Sequence, residues 1–300
     1  MCGKSSAAYP GMTNEYQRGL GPVCKSPGKV SYGGVIRTIS AQSMRLMEQN
    51  KMNRWMVLLL CGFLFPVSCA SSKAVRQQKA ETLRQLGEGY LAEGNTTSAL
   101  RELLKAEELN GKDPYTHYDL GLAYFAKDEF DLAIEHFQKA LRLKADYPQA
   151  ENAIGAVYLK LEEWDKAIPY FNRAVENLLY ATPYIALNNL GEAYRGKEAY
   201  GRAIPYYKKA LEDNPRFVKA LQNMAATYLA LGDYEAAISA LERAKRFAPG
   251  LAAIHFDLGR AYAGRFEVEK AVSAFKKAIA LAPDSALASQ AHERIEQLER

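Results

Sequence analysis

The sequence predicts an all-α fold, a solenoid of six helix–turn–helix repeats closed by a C-terminal cap helix. Three observations lead to this prediction. A small residue recurs about every 34 residues, the apolar residues around it follow helical spacing, and Gly or Pro stands between the apolar stretches. With 300 residues, 48% of them hydrophobic, the chain is long enough to bury the continuous core that stacked repeats require.

The repeat frame is anchored by a small residue whose successive copies lie 34, 34, 36, 34 and 34 residues apart. A tyrosine follows each anchor by three positions, an alanine by twelve, a large apolar residue by sixteen and a second alanine by nineteen. The six anchors are Gly87, Gly121, Gly155, Gly191, Ala225 and Gly259. Within one repeat these positions fall on two amphipathic stretches, which predicts two helices per repeat.

The repeats are expected at 80–113, 114–147, 148–183, 184–217, 218–251 and 252–285. Residues 286–300 are predicted to form the cap helix, because Leu287, Ile295 and Leu298 stand among Glu, Arg and Gln. Pro169 and Pro205 lie near the start of the second helix in repeats three and four, where each is expected to remove one backbone hydrogen bond and bend the helix slightly.

Two extra residues at 175–184 account for the single 36-residue spacing. They are expected to lengthen the exit from the third repeat. Either they are a tolerated loop insertion or they have a role of their own, and the residues leave both open.

This frame resembles the tetratricopeptide repeat, a 34-residue helix–turn–helix unit, over residues 80 to about 285. The resemblance implies a right-handed superhelix whose groove is lined by the first helix of each repeat. At the groove-facing positions of that family stand Tyr115, Tyr118, Phe125, Asn152, Lys160, Asn188, Arg195, Lys219, Gln222, Phe256 and Arg260. Aromatic rings beside amide and guanidinium groups suit the capture of a peptide, although Tyr115 and Tyr118 could instead only cover the flank of repeat one.

The charge of the chain is distributed unevenly. The formal net charge of +5 comes from residues 1–51, which hold seven basic and two acidic groups, and from Arg54. From Cys69 onward there are 31 basic and 32 acidic residues, a net charge of −1. A near-neutral repeat region argues against a nucleic-acid partner, since binding to phosphates requires clustered basic residues.

Catalytic chemistry is not expected. The four cysteines are Cys2, Cys24, Cys61 and Cys69, so the repeats have no thiolate for a nucleophile or a Cys-containing zinc site. His117 and His255 occupy the same place in two first helices, which favours packing. Without a phosphate loop or a metalloprotease motif, the sequence predicts a protein with no enzymatic activity, cofactor, metal or small-molecule substrate.

One apolar run, from Met56 to Ser68, has the length of a signal-peptide core and is too short to span a bilayer. Arg54 supplies a positive charge before it, and small residues follow it. Because a secretory signal belongs at an N-terminus, we expect translation to start at Met52, or at Met44 or Met47. Residues 1–51 are then a mis-assigned upstream extension, and they are predicted to be disordered.

The end of this run, Val67-Ser68-Cys69, resembles the lipobox of bacterial lipoproteins, in which the cysteine is lipidated and becomes the new N-terminus. The resemblance implies a signal peptide at 52–68, a lipid on Cys69 and a tether at 69–79. Pro66 stands where the family usually has Leu, so cleavage after Ala70, giving a soluble periplasmic product, stays open. The absence of Asp after Cys69 implies the periplasmic face of the outer membrane.

A lipoprotein of six tetratricopeptide repeats resembles the pilotin class of type IV pilus biogenesis proteins. These bring the secretin subunit to the outer membrane and promote its multimerisation. The Pro-containing junction from Tyr180 to Tyr194 is similar to one in that class. The resemblance implies a scaffold that binds the secretin. The alternative is a periplasmic adaptor of the same architecture that serves peptidoglycan enzymes, other envelope enzymes or polysaccharide export.

Overall fold

The computed structural model describes residues 54–178 and 180–300, and it describes side chains from Ser72 onward except at position 179. The described residues form thirteen helices without strands. They are α1 (Arg54–Ala92), α2 (Thr96–Leu109), α3 (Pro114–Phe125), α4 (Phe130–Leu143), α5 (Pro148–Lys160), α6 (Trp164–Glu176), α7 (Pro183–Gly196), α8 (Tyr200–Asp213), α9 (Val218–Leu231), α10 (Tyr234–Phe247), α11 (Ala252–Gly264), α12 (Val268–Leu281) and α13 (Ala286–Glu299). The all-α repeat solenoid predicted from the period is confirmed.

The described residues divide into two compact units between Gly111 and Lys112, and the second unit is Lys112–Arg300. In the first unit α1 packs against α2, and Gly87 lies so close to Leu103 that a Cβ on the glycine would be 2.6 Å from the leucine Cγ. The predicted tether at 69–79 lies inside α1, with its side chains exposed from residue 72 to residue 79. The predicted extension 1–51, and the side chains of the predicted signal and lipid site, lie outside the described residues.

No helix within residues 54–178 and 180–300 is long and apolar enough to cross a lipid bilayer.

In the second unit each helix packs against the next along the chain, from α3 to α13. The first helices of neighbouring repeats also touch each other directly, α3 with α5, α5 with α7, α7 with α9 and α9 with α11. Because every first helix is beside the next one, their outward sides form one continuous surface. We call this surface, carried by α3, α5, α7, α9 and α11, the first-helix face.

In the second unit an aromatic ring from the second helix lies against each anchor glycine and leaves no room for a side chain there. A Cβ on Gly155 would be 2.6 Å from the ring of Phe171, and Gly121, Gly191 and Gly259 are equally close to a ring sixteen residues later. Those rings, of Phe137, Tyr207 and Phe275, are buried. The small anchor thus lets the ring fill the space between the helices, which is close-packed.

The turn between the two helices of each repeat contains one residue with left-handed backbone, seven positions after the anchor. Glycine supplies it at Gly94 and Gly232, both with φ of 74°. Asp128, Glu162, Glu198 and Phe266 adopt the same conformation with φ between 58° and 63°. A Cβ makes this conformation unfavourable, so the backbone is strained in the four turns that have no glycine at this position.

Neither the two prolines within second helices nor the two extra residues at 175–184 interrupt a helix. Helices α6 and α8 continue through Pro169 and Pro205. The extra residues lie in the link between α6 and α7, where Tyr180 is buried against Ala174 and Ala186 while Leu178 is fully exposed. The insertion therefore lengthens a link and leaves both helices at their usual length.

The predicted cap helix is α13. Its N-terminus is capped by Ser285, whose Oγ accepts a hydrogen bond from the backbone N–H of Ala288 at 3.1 Å. One side of α13 buries Ala288, Ala291 and Ile295 against the last repeat, while the residues between them are exposed. This arrangement closes the apolar end of the solenoid with a polar surface.

Candidate functional site

Three tyrosines form an aromatic cluster where α3 meets the start of α5. The rings of Tyr115 and Tyr118 lie 5.7 Å and 5.1 Å from that of Tyr147. The ammonium of Lys144 lies 4.8 Å and 4.5 Å from the ring centres of Tyr115 and Tyr147, and it donates a hydrogen bond to Tyr115 Oη at 3.1 Å. Such cation–π contacts hold the rings in place.

Exposure differs within this cluster. Tyr115 is 44% exposed, whereas Tyr147 is buried and Tyr118 is half-buried, with its ring also 5.7 Å from Phe137. Tyr118 and Tyr147 therefore belong mainly to the core. Of the two predicted tyrosines, Tyr115 is the one that presents its ring on the first-helix face, as a rigid aromatic contact.

A chain of asparagine amides crosses three repeats at the middle of the first-helix face. Asn189 Nδ2 donates to Asn152 Oδ1 at 3.1 Å, and Asn188 Nδ2 lies 3.3 Å from Asn189 Oδ1. Asn223 Nδ2 donates to Asn188 Oδ1 at 3.0 Å and lies 3.3 Å from Glu192 Oε2. We call these five residues, Asn152, Asn188, Asn189, Glu192 and Asn223, the amide network.

The members of the amide network differ in burial. Asn188 and Asn223 are buried, while Asn152, Asn189 and Glu192 are partly exposed. Amide groups carry donors and acceptors on one side chain, so Asn152 and Asn189 offer both to a partner, whereas the Glu192 carboxylate offers acceptors. The buried members are satisfied by each other and fix the orientation of the exposed ones.

Arg195 lies one helical turn after Glu192, on the same side of α7. Its guanidinium is 4.0 Å from the Glu192 carboxylate, a loose ion pair. Among the described residues, the buried Arg195 Nε makes no hydrogen bond, and neither does the buried hydroxyl of Tyr207, which faces Thr227 and Arg195 without reaching hydrogen-bond geometry. Burial raises the pKa of Tyr207 to about 12, so the hydroxyl stays protonated.

In repeat six the predicted aromatic residue is not exposed on the first-helix face. Phe256, predicted in the groove, packs edge-to-face on Phe275 with ring centres 5.4 Å apart, in a cluster that includes Ala291 and Ile295 of α13. The physical reason is that α13 covers this repeat where another first helix would otherwise stand. The structure thus places Phe256 in the core.

Arg260, also from repeat six, is exposed and donates to Asp257 Oδ1 at 3.0 Å. Burial raises the pKa of Asp257, and the Arg260 guanidinium opposes that rise. Since its guanidinium is held by a neighbour on its own helix, Arg260 is less available to a partner than Arg195.

The other predicted residues lie along the edges of the first helices. Lys160 and Lys219 are exposed and Gln222 is partly exposed. Phe125 is half-buried with its ring 6.0 Å from that of Phe130. The structure therefore brings together Asn152, Asn188 and Arg195, with Tyr115 in a separate cluster and the others at single positions.

Sequence reasoning missed Asn189, Asn223 and Glu192 in the amide network, and Lys144 and Tyr147 in the aromatic cluster. Asn189 and Asn223 stand at the same place in the frame, two residues before their anchors. The recurrence of Asn at this position in two successive repeats was the available signal.

The repeat region matches models of a known protein family. Models of the tetratricopeptide repeat match residues 113–179, 146–216, 194–255 and 252–285. No curated protein matches the sequence.

Solved structures with the same fold include two from type IV pilus research. PilF of Pseudomonas aeruginosa is 23% identical with a TM-score of 0.64, over 75% of this chain and 99% of that one. PilW, described as a widely conserved type IV pilus biogenesis factor, is 22% identical with a TM-score of 0.67, over 71% and 98%. The Cut9–Hcn1 assembly of the APC/C is 20% identical with a TM-score of 0.65, over 74% and 43%.

Proposed function

The chain belongs to the tetratricopeptide-repeat family, and on that premise we propose that it is a non-enzymatic scaffold that binds the secretin subunit of a type IV pilus system and assists its assembly. The proposal has three parts: a protein-binding face, a pilus partner and a lipid anchor. Each part has its own support.

The amide network is the main support for protein binding. Its exposed amides, the Glu192 carboxylate and the loosely paired Arg195 lie together on α5 and α7, and the buried Asn223 of α9 supports them. Backbone groups of an extended segment, or those at the end of a helix, can exchange hydrogen bonds with amides, and a carboxylate of the partner can pair with Arg195. Tyr115, two repeats away, adds an aromatic contact of the kind that dominates binding energy at interfaces.

A pilus partner is supported by the extent of the structural likeness. PilF and PilW match the present chain over nearly the whole of their own lengths, so each of their repeat arrays has a counterpart within this chain. In the Cut9 assembly the match covers 43% of the other chain, a part of a longer array. This correspondence and the resemblance of the junction between repeats three and four support the proposed secretin role.

The lipid anchor is supported by the sequence around Cys69. We propose that Cys69 is acylated and holds the repeats at the periplasmic face of the outer membrane. Several acyl chains would do so durably, since each buried methylene contributes about 0.8 kcal/mol. Mass spectrometry of the mature N-terminus tests this part, and an unmodified Cys69 within an intact chain contradicts it.

Binding to the purified secretin subunit tests the proposal directly. Arg195→Ala and Tyr115→Ala are each expected to weaken binding by about 1 to 2 kcal/mol, roughly five- to thirtyfold. Lys208→Ala is the matched control, because Lys208 is an exposed cation on the second helix of the same repeat as Arg195. Circular dichroism establishes that all three variants are folded.

The same experiment separates the alternative adaptor function. If the protein serves peptidoglycan enzymes or polysaccharide export, it binds no secretin, and a strain lacking it still assembles secretin multimers and pili. Either result overturns the proposal.

A further inference from the structure

Two histidines face each other inside repeat two, away from the amide network. His117 of α3 is fully buried, and its Nδ1 lies 3.3 Å from Nδ1 of His136 on α4. The two rings are tilted by 31° with centres 5.5 Å apart. The ring of Tyr124 stacks on His136 at 5.2 Å. His136 is partly exposed, so the pair can be reached from solvent on one side.

The other repeats show that the fold does not need histidine at these places. The position of His117, four residues before the anchor, is Leu187 in repeat four and Leu221 in repeat five, both buried. The position of His136, fifteen residues after the anchor, is Tyr170 in repeat three and Tyr206 in repeat four. Each of those tyrosines stacks on the frame tyrosine as His136 does on Tyr124.

His255 provides a second comparison within the chain. It occupies the position of His117 in repeat six, where the residue opposite is Ala274. Its Nε2 lies 2.9 Å from the backbone carbonyl oxygen of Pro249. His255 is therefore a core histidine satisfied by the backbone, whereas His117 has a second imidazole nitrogen in front of it.

The separation of the two nitrogens fits a shared metal ion. Zinc–nitrogen bonds are about 2.05 Å long, and two such bonds to atoms 3.3 Å apart meet at about 107°, close to the tetrahedral angle. Imidazole nitrogens are ligands that Zn²⁺, Cu²⁺ and Ni²⁺ accept readily. In the absence of a metal the two nitrogens can form one hydrogen bond, with a proton on one of them; when a metal binds, that proton leaves Nδ1 and the ring stays neutral by carrying a proton on Nε2 instead.

We propose that His117 Nδ1 and His136 Nδ1 bind one divalent transition-metal ion, with Zn²⁺ as the best geometric match. The two histidines join α3 to α4, so the metal cross-links the two helices of repeat two. Water or a further donor completes the coordination. The site is independent of the proposed secretin binding, because its ligands are directed into the repeat.

Zinc titration of the full chain tests this site, with any affinity tag removed and every protein treated with a chelator first. The variants are His117→Leu and His136→Tyr, which install residues that other repeats use at those positions and so preserve packing. The native chain is expected to bind one more Zn²⁺ than either variant, and its Tm is expected to rise with zinc concentration while theirs does not. With Co²⁺, only the native chain is expected to show the visible absorption of a tetrahedral site with nitrogen ligands.

Two controls define what counts against the site. His255→Leu and His292→Ala remove a buried and an exposed histidine elsewhere and are expected to leave the additional Zn²⁺ bound. Equal zinc stoichiometry in the native chain and in His136→Tyr overturns the proposal, and so does loss of the same equivalent in His255→Leu. A hydrogen-bonded histidine pair without metal affinity gives the first of these results.

Discussion

Packing at the anchor position links two residues sixteen positions apart. Where the anchor is glycine in the second unit, the residue opposite is aromatic, as in Gly155 with Phe171. Repeat five has Ala225 with Leu241 instead, and both are buried. The extra methyl group of alanine is therefore accommodated by a smaller and more flexible partner, which keeps the helix–helix distance.

Gly155→Ala tests this relation. The new Cβ would lie 2.6 Å from the Phe171 ring, so we expect a loss of about 1 to 3 kcal/mol in the free energy of unfolding, measured with urea. Adding Phe171→Leu reproduces the pair of repeat five and is expected to recover part of the loss. Gly201→Ala is the control, since a Cβ there meets no atom within 4 Å. If Gly155→Ala and Gly201→Ala behave alike, close approach at the anchor is not what excludes a side chain.

Tyr207→Phe tests the buried hydroxyl, which none of Phe137, Phe171 and Phe275 has at the same position. Burial raises the pKa of Tyr207 from 10 to about 12, so between these pH values the unfolded chain loses the proton first and the free energy of unfolding falls; below pH 10 the tyrosine is protonated in both states and adds no pH dependence.

Stability measured at increasing pH should therefore fall less in Tyr207→Phe than in the native chain, by an amount on the order of 2 kcal/mol over this range. At neutral pH the variant should be at least as stable as the native chain, since the hydroxyl is buried without a regular hydrogen bond. Parallel pH profiles would contradict the burial argument.

Helices and turns were the most predictable elements, because the period of the apolar residues fixes them. The amide network was less predictable because its hydrogen bonds join residues of different repeats. Asn152 is 37 residues from its partner Asn189, and Asn188 is 35 residues from its partner Asn223. The position of a residue in the repeat indicates which way its side chain points, but not which residue of the neighbouring repeat it contacts. Phe256 shows the same limit, because its burial depends on α13, which is not a repeat.

The backbone at Phe266, in the turn before α12, is strained, and a substitution can remove the strain. Phe266 has φ of 63° and is 89% exposed, whereas Gly94 and Gly232 occupy the same turn position without a side chain. Phe266→Gly is expected to raise the free energy of unfolding by up to about 1 kcal/mol, measured as a higher urea midpoint.

Leu178→Gly is the control for loss of an exposed apolar side chain, since Leu178 is 99% exposed in a link. An equal gain in both variants would mean that surface apolarity, and not backbone strain, sets the effect.

The repeat region as a whole is almost neutral, and the amide network and Arg195 lie on the first helices of repeats three to five. This charge balance agrees with a protein partner held by amide, guanidinium and aromatic groups rather than by a basic surface. The secretin and the lipid anchor remain proposals. The central claim is that the partner lies on the first-helix face.

Site-specific photo-crosslinking in the native host tests that claim most directly. A photoreactive residue replaces Gln222, which is partly exposed on α9, or Lys208, which is exposed on the second helix of repeat four. The account predicts that position 222 cross-links to the secretin subunit and position 208 does not. Cross-linking from position 208 alone, or secretin recovered from neither position while other envelope proteins are captured at 222, would contradict it.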